Sequence, residues 1–119
     1  MTWADDYTFV EPWWDLRQDA EGAKHARHFT EELQREIGWH HPLRKELGWR
    51  ALLGRQWRIV AKFSVQDDFI AVSPAGKVAW VHLTWKRGRE RLPWPNSCFL
   101  ESVDDFHQEV RDRYGDLGW

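Results

Sequence analysis

Between Trp57 and Trp94 the chain alternates apolar and polar residues in three runs, WRIVAKFSV, FIAVS and KVAWVHLTW, separated by QDD and PAG. A period of two places successive side chains on opposite faces of an extended backbone, and no helix uses it. Connections this short force antiparallel pairing, because a parallel crossover needs a dozen residues or more. Ser73-Pro74-Ala75-Gly76 supplies the turn chemistry, with Pro at the second position and Gly at the fourth. In the first run Trp57, Ile59, Ala61, Phe63 and Val65 share a face, against Arg58, Val60, Lys62 and Ser64. In the third, Ala79, Val81, Leu83 and Trp85 oppose Val78, Trp80, His82 and Thr84. The aliphatic face is expected to receive the helices, which leaves the Trp80–His82–Thr84 face half covered.

Two stretches carry helical spacing. Over 19–37, Ala23, Ala26, Phe29, Leu33 and Ile37 recur at three- and four-residue steps, with Lys24, Arg27, Glu31, Gln34 and Arg35 opposite. Gly38 stands where a left-handed stop is needed, so Trp39 is expected to fold back onto Leu33. The device recurs at Leu43–Leu47 with Gly48 and Trp49. Over 102–114, Ser102 and Asp105 occupy the first and fourth positions of a capping box, and Val103, Phe106, Val110 and Tyr114 form the buried stripe. Residues 1–16 lack a period and are interrupted by Pro12; this Trp-rich arm wraps the domain, with Trp13 and Trp14 either packed or left out as interface anchors. The tail from Asp116 to Trp119 docks back or frays. The expectation is one α+β domain over 1–119: a three-stranded antiparallel β-meander (57–85) with two amphipathic helices packed on one face.

Charge is unevenly placed. Residues 1–43 hold four Lys/Arg against nine Asp/Glu, 44–91 hold eleven against four, and 92–119 hold two against six. Cys98 is the single cysteine, so no intramolecular disulfide forms and a reducing compartment suits the chain. MTWADDYTFV is too acidic for a signal peptide, and no apolar run approaches the roughly 20 residues of a membrane span. A cytoplasmic location away from membranes is expected.

Four landmarks follow in order: His41-Pro42-Leu43, Asp67-Asp68, Val81-His82-Leu83-Thr84-Trp85 and Pro93-Trp94-Pro95. The pattern HPL…DD…VHLTW…PWP resembles a group of small uncharacterised bacterial proteins, over residues 41–95. The segment LRKELGWRALLGR departs from that pattern, which has a Gly soon after HPL. The resemblance carries no activity. It implies that Asp67, Asp68, His82, Thr84 and Trp85 belong to a shared site or a shared fold solution.

Several chemistries compete for these residues. His82 with Asp67 and Asp68 could form a general base oriented by a carboxylate, which would make the chain a small enzyme. Against that, an Asp pair at a turn is ordinary turn chemistry. His25, His28 and Glu32, with His40 and His41, have spacings that zinc sites use, but HExxH and CxxC are absent and no metal or cofactor is expected. The basic 44–91 section, with KRGRER between Trp85 and Trp94, sets cations beside stacking rings as single-stranded nucleic acid requires. The net charge of -2 and the lack of a recognisable module rank nucleic acid second. Ten Trp in 119 residues exceed what a core of this size needs. The reading that demands no missing chemistry is therefore a non-enzymatic protein-binding module, with Trp80, His82, Thr84, Trp85, Asp67, Asp68, Trp13, Trp14 and Trp94 as its surface. Its partner is another protein, a basic one by charge, or a second copy joined through the sheet edge. Toxin-neutralising inhibitors of the immunity type fit as a class.

Overall fold

The computed structural model describes residues 2–85, 88–92 and 94–115. Lys86 and Arg87 of the basic run, Pro93 and the tail 116–119 lie outside the described residues. The three alternating runs form β2 (Arg58–Phe63), β3 (Asp68–Val72) and β4 (Val78–His82). Two further strands, β1 (Trp13–Asp15) and β5 (Asn96–Phe99), add at the edges. The result is a five-stranded antiparallel sheet in the order β1-β2-β3-β4-β5, where three strands were expected. WWD and NSCF are too short to show a period. Pro12 does not break β1 because it stands before it, and its carbonyl accepts a hydrogen bond from Ser64 N at 2.9 Å.

Every residue of β3 is buried. Its two faces carry different apolar sets, so each needs a cover of its own. On one side lie α2 (Ala20–Glu36), α3 (Pro42–Leu47) and a 3-10 helix, Gly48–Leu53. Phe29, Leu33, Ile37, Leu43 and Leu47 pack there with Trp57, Ile59, Phe69, Ala71, Ala79, Val81 and Leu83. On the other lie α4 (Val103–Tyr114) and the arm, which contains the single turn α1 (Trp3–Asp6). Phe9, Trp13, Leu100, Phe106 and Val110 there meet Val60, Phe63, Ile70, Val72, Val78 and Trp80. The two long helices thus sit on opposite faces, not on one. Among the described residues no helix is long and apolar enough to cross a membrane.

Strict alternation also misplaces half of β2. Ile59 faces Ala71, yet Ala61 faces Ile70, so one extra residue is inserted in β2. A bulge of this kind reverses the parity of everything beyond it. Trp57 and Ile59 point toward α2, whereas Val60, Ala61 and Phe63 join the α4 side. That second side is an aromatic cluster: Trp13 meets Trp80 edge-on at 5.0 Å and Phe106 at 5.3 Å, and Phe63 stacks on Tyr114 at 4.2 Å.

α2 starts at Asp19, whose carboxylate accepts the Gly22 amide at 2.7 Å. Gly22 also lies directly against β1's exit, since a Cβ there would sit 2.5 Å from the Leu16 carbonyl oxygen. Helix propensity alone would favour Gly22→Ala by about 1 kcal/mol. The backbone contact reverses the sign: the variant is expected to lose about 1–3 kcal/mol in urea denaturation, because Leu16 has no room to give.

Candidate functional site

The end of the sheet where β4 finishes and β5 begins gathers described residues of all four landmark stretches. On α2, Glu32 and Glu36 lie one turn apart and neither is exposed. The Glu36 carboxylate accepts the amides of Thr84 at 2.9 Å and Trp85 at 2.8 Å, and its backbone carbonyl accepts that of Glu90 at 2.9 Å. Trp85 has φ of 61°, a region that bulky L-residues avoid. Glu36 therefore fastens a strained exit from β4. Burial, and then the hydrogen bond with Glu32, push the Glu36 carboxyl up to about 7, while the Thr84 and Trp85 amides oppose that rise. The Trp85 ring stacks on His28 at 5.5 Å.

His41 caps α3. Its Nδ1 accepts the Leu43 amide at 3.0 Å, and its Nε2 lies 2.7 Å from the Pro95 carbonyl. An acceptor at Nδ1 and a donor at Nε2 define the neutral imidazole. Burial lowers the His41 pKa, with the Pro95 carbonyl acting the other way. HPL is thereby a buried cap, a proline opening α3 and a core leucine, tied to PWP through Pro95.

Asp68 and His82 face each other across β3 and β4. His82 Nδ1 lies 2.8 Å from Asp68 Oδ1, and the other Asp68 oxygen accepts the Tyr114 hydroxyl of α4. Asp68 is buried, whereas the His82 side chain is 39% exposed. Asp67 is exposed, and among the described residues it supplies its backbone carbonyl, to Leu83 N at 3.1 Å. DD and VHLTW are thus joined as HPL and PWP are.

This end contains Asp68, His82, Thr84 and Trp85, but the other expected site residues separate. Trp80 and Trp13 are buried beneath α4, and the Arg113 guanidinium lies 4.8 Å over the Trp80 ring. The Trp80–His82–Thr84 face is therefore covered except at His82 and Thr84. Trp14 is half-buried against His25 at 5.1 Å. Of the expected indoles, only Trp94 is exposed. Four surface clefts of about 280–440 Å³ are lined by residues other than Asp68 and His82, so the pair has the orientation of a general base without an adjoining cavity among these. His25 pairs with Glu21 at 3.0 Å, and among the described residues no three metal-ligating side chains converge. Cys98 is half-buried, and burial raises its thiol pKa.

Two groups of exposed apolar side chains flank α3 in sequence. Trp39 is 61% exposed and Trp49 60%, with Leu52, Leu53 and Leu92 also out. The Arg44 and Arg89 guanidinium carbons lie 4.7 and 5.0 Å from the Trp39 ring centre, and Arg50 lies 4.8 Å from that of Trp49. A cleft of about 360 Å³ separates Gly38–His41 from Arg89–Leu92, with Trp39 in its wall. Neither Trp folds back on its helix. Gly38 does not take a positive φ; Ile37 stays extended, bonds its amide to Leu33 O and is itself buried in the same apolar cluster as Leu33. Gly48 is left-handed at φ 54°, but the chain continues into the 3-10 helix and carries Trp49 outward. The sequence signal for both was the neighbouring Arg44 and Arg50. Comparison with protein-family models, curated proteins and solved structures returns no match for this chain.

His41→Ala removes a cap and strands the Pro95 carbonyl, so a loss of about 2–4 kcal/mol is expected in chemical denaturation at pH 7.5. The unfolded chain protonates this His near its ordinary 6.5, while the fold resists protonation to lower pH. The stabilisation from neutral His41 is present above that value and is lost as pH falls below it. The deficit of His41→Ala should accordingly shrink between pH 7.5 and pH 5.

Proposed function

We propose that this chain is a non-enzymatic protein-binding module whose working face is the set of arginine-gripped indoles and leucines flanking α3, and that the surface it receives is acidic. The observation that carries this reading is Trp39, 61% exposed with two guanidinium groups over its ring. Trp and Arg dominate the energetics of protein interfaces, and exposed apolar patches of this kind mark association sites. Arg44 and Arg89 lie over Trp39, Arg50 lies over Trp49 and Arg91 lines the Trp39 cleft, with Lys45 and Arg55 nearby in sequence, against Glu46 and Glu90. An acidic partner is complementary to that charge. The basic partner expected from the acidic arm loses its support, because Trp13 is inside the core.

Protein is favoured over nucleic acid by the leucines. Leu52, at 81% exposure, Leu53 and Leu92 cannot stack on bases, and Trp39 already faces two cations. A toxin-neutralising inhibitor is one form of this function, since it acts by covering a surface and needs no catalytic group.

Selection of a random-peptide display library on the purified chain tests the reading. The expected winners are peptides rich in Asp and Glu with one or two bulky apolar anchors. Trp39→Ala with Leu52→Ser should weaken their binding at least tenfold, about 1.4 kcal/mol, with thermal stability little changed because both sites are exposed. Winners without acidic residues would refute it. So would unchanged affinity in the double variant, or a steeply salt-dependent preference for a single-stranded oligonucleotide.

A further inference from the structure

We infer that the cleft between the first half of α2 and β2 is a binding site for a small monocarboxylate with an apolar body, an alkyl or aryl acid, whose head meets Arg27 and Arg58. The site lies apart from the Trp39 face, which follows the other end of α2, and it does not depend on the docking reading.

The cleft follows from the small residues on α2. The apolar stripe of that helix runs through Ala23, Ala26, Phe29, Leu33 and Ile37, and only the last three are buried; Ala23 is exposed and Ala26 half-buried. Their methyl groups are too short to reach β2. The helix cannot close the gap by moving inward, because Gly22 is already in contact with the Leu16 carbonyl. A space of about 440 Å³ remains, within the roughly 300–1,000 Å³ of small-molecule sites. Leu16, from the exit of β1, and Ile59 and Val60, from the bulged part of β2, line it together with the two alanines. Such a lining suits a hydrocarbon body.

Charge decides the head group. Three arginines and one carboxylate line the cleft. Arg17 is fully engaged, since its Nε, Nη1 and Nη2 donate to Asp15 and to the carbonyls of Ala4 and Tyr7. Arg58, with its side chain 58% exposed, is only loosely paired with Asp5 at 3.6 Å. Arg27 is exposed and has no hydrogen bond, ion pair or ring contact among the described residues. Two guanidinium groups are thus free to take an anion, and their planar fork matches a carboxylate. Glu31, the carboxylate in the lining, pairs with Arg35 at 3.9 Å and disfavours a doubly charged head. An extended peptide laid along β2 fits less well. The Ile59 amide already donates to Thr30 Oγ1 at 3.2 Å, and the Val60 carbonyl accepts Leu16 N at 2.9 Å, so the strand offers neither group.

Titration of the whole chain with octanoate, octanamide and octyl phosphate, followed through the backbone amide shifts, tests the site. Octanoate should bind saturably in the micromolar to millimolar range and move the amides of Ala23, Ala26, Thr30 and Ile59. It should bind about tenfold more tightly than octanamide, which lacks the charge, and at least as tightly as octyl phosphate. Arg27→Glu, at an exposed position without partners, should weaken octanoate about tenfold and leave octanamide unchanged. Ala23→Trp, which fills the mouth of the cleft, should abolish binding of both. Should that variant fail to fold, the charge variant and the map of shifts still decide. No saturable octanoate binding, equal affinity for acid and amide, or tighter binding of the phosphate would each overturn the assignment. So would shifts centred on Gly38–His41, or either variant without effect.

Discussion

The rest of the structure depends on a sheet whose central strands have no solvent face. Every side chain of β3 is buried, and β4 is buried up to His82. Such a sheet must be covered twice, which is why the helices divide between its faces. α2 with α3 suffices for the aliphatic face. α4, at 12 residues, does not suffice for the other, and the N-terminal arm completes that cover with Trp3, Tyr7 and Phe9. The Arg17–Asp15 ion pair ties the arm down, and Arg58 adds a second contact 3.6 Å from Asp5. Arg17 bonds the buried Asp15 at 3.0 Å and the carbonyls of Ala4 at 2.8 Å and Tyr7 at 2.6 Å, while Asp15 accepts the Phe9 amide at 3.1 Å. Burial alone would raise the Asp15 pKa, but the bonds from Arg17 and Phe9 outweigh it and hold the carboxyl low. A buried charge satisfied on every side fixes geometry more than it adds stability.

Periodicity made the centre of the fold legible. α2 and α4 fall where three- and four-residue spacing placed helices, β2 and β4 lie within their alternating runs, and β3 starts one residue before its own. What it missed were features set by partners far along the chain. β1 and β5 have three and four residues, too few for a pattern, and exist because β2 and β4 offered open edges. The Ile59/Ala61 bulge is invisible in a sequence whose residues at 59, 60 and 61 are all apolar. Assigning both helices to one face followed from treating Val78 and Trp80 as half-exposed when they were a second core.

The candidate site was legible in its residue types and not in its connections. Asp68 and His82 were singled out together, yet only the register of β3 against β4 brings them to 2.8 Å. Glu36 carried no signal, since the donors to its carboxylate are backbone amides 48 and 49 residues away. His41 looked like a candidate ligand because a histidine cap and a histidine ligand present the same letter. Its neighbours Pro42 and Leu43 made the cap the better reading, as proline favours the first turn of a helix.

The division of the indoles follows from their polar edge. Trp57 Nε1 donates to the Leu43 carbonyl at 2.8 Å and Trp3 Nε1 to that of Leu100 at 3.0 Å. Trp13 and Trp80 have no such partner among the described residues, so the interior already contains indole N–H groups it does not satisfy. Each further buried ring would add apolar contact together with another unpaired donor, an exchange that favours the surface once carbonyls at suitable positions are used up. An indole left outside and unsupported would sample many rotamers. Guanidinium groups 4.7–5.0 Å from Trp39 and Trp49 restrict that sampling before any partner arrives. Rings ordered in advance lose less entropy on contact, so the arginines that hold them serve the affinity of the face as well as its charge.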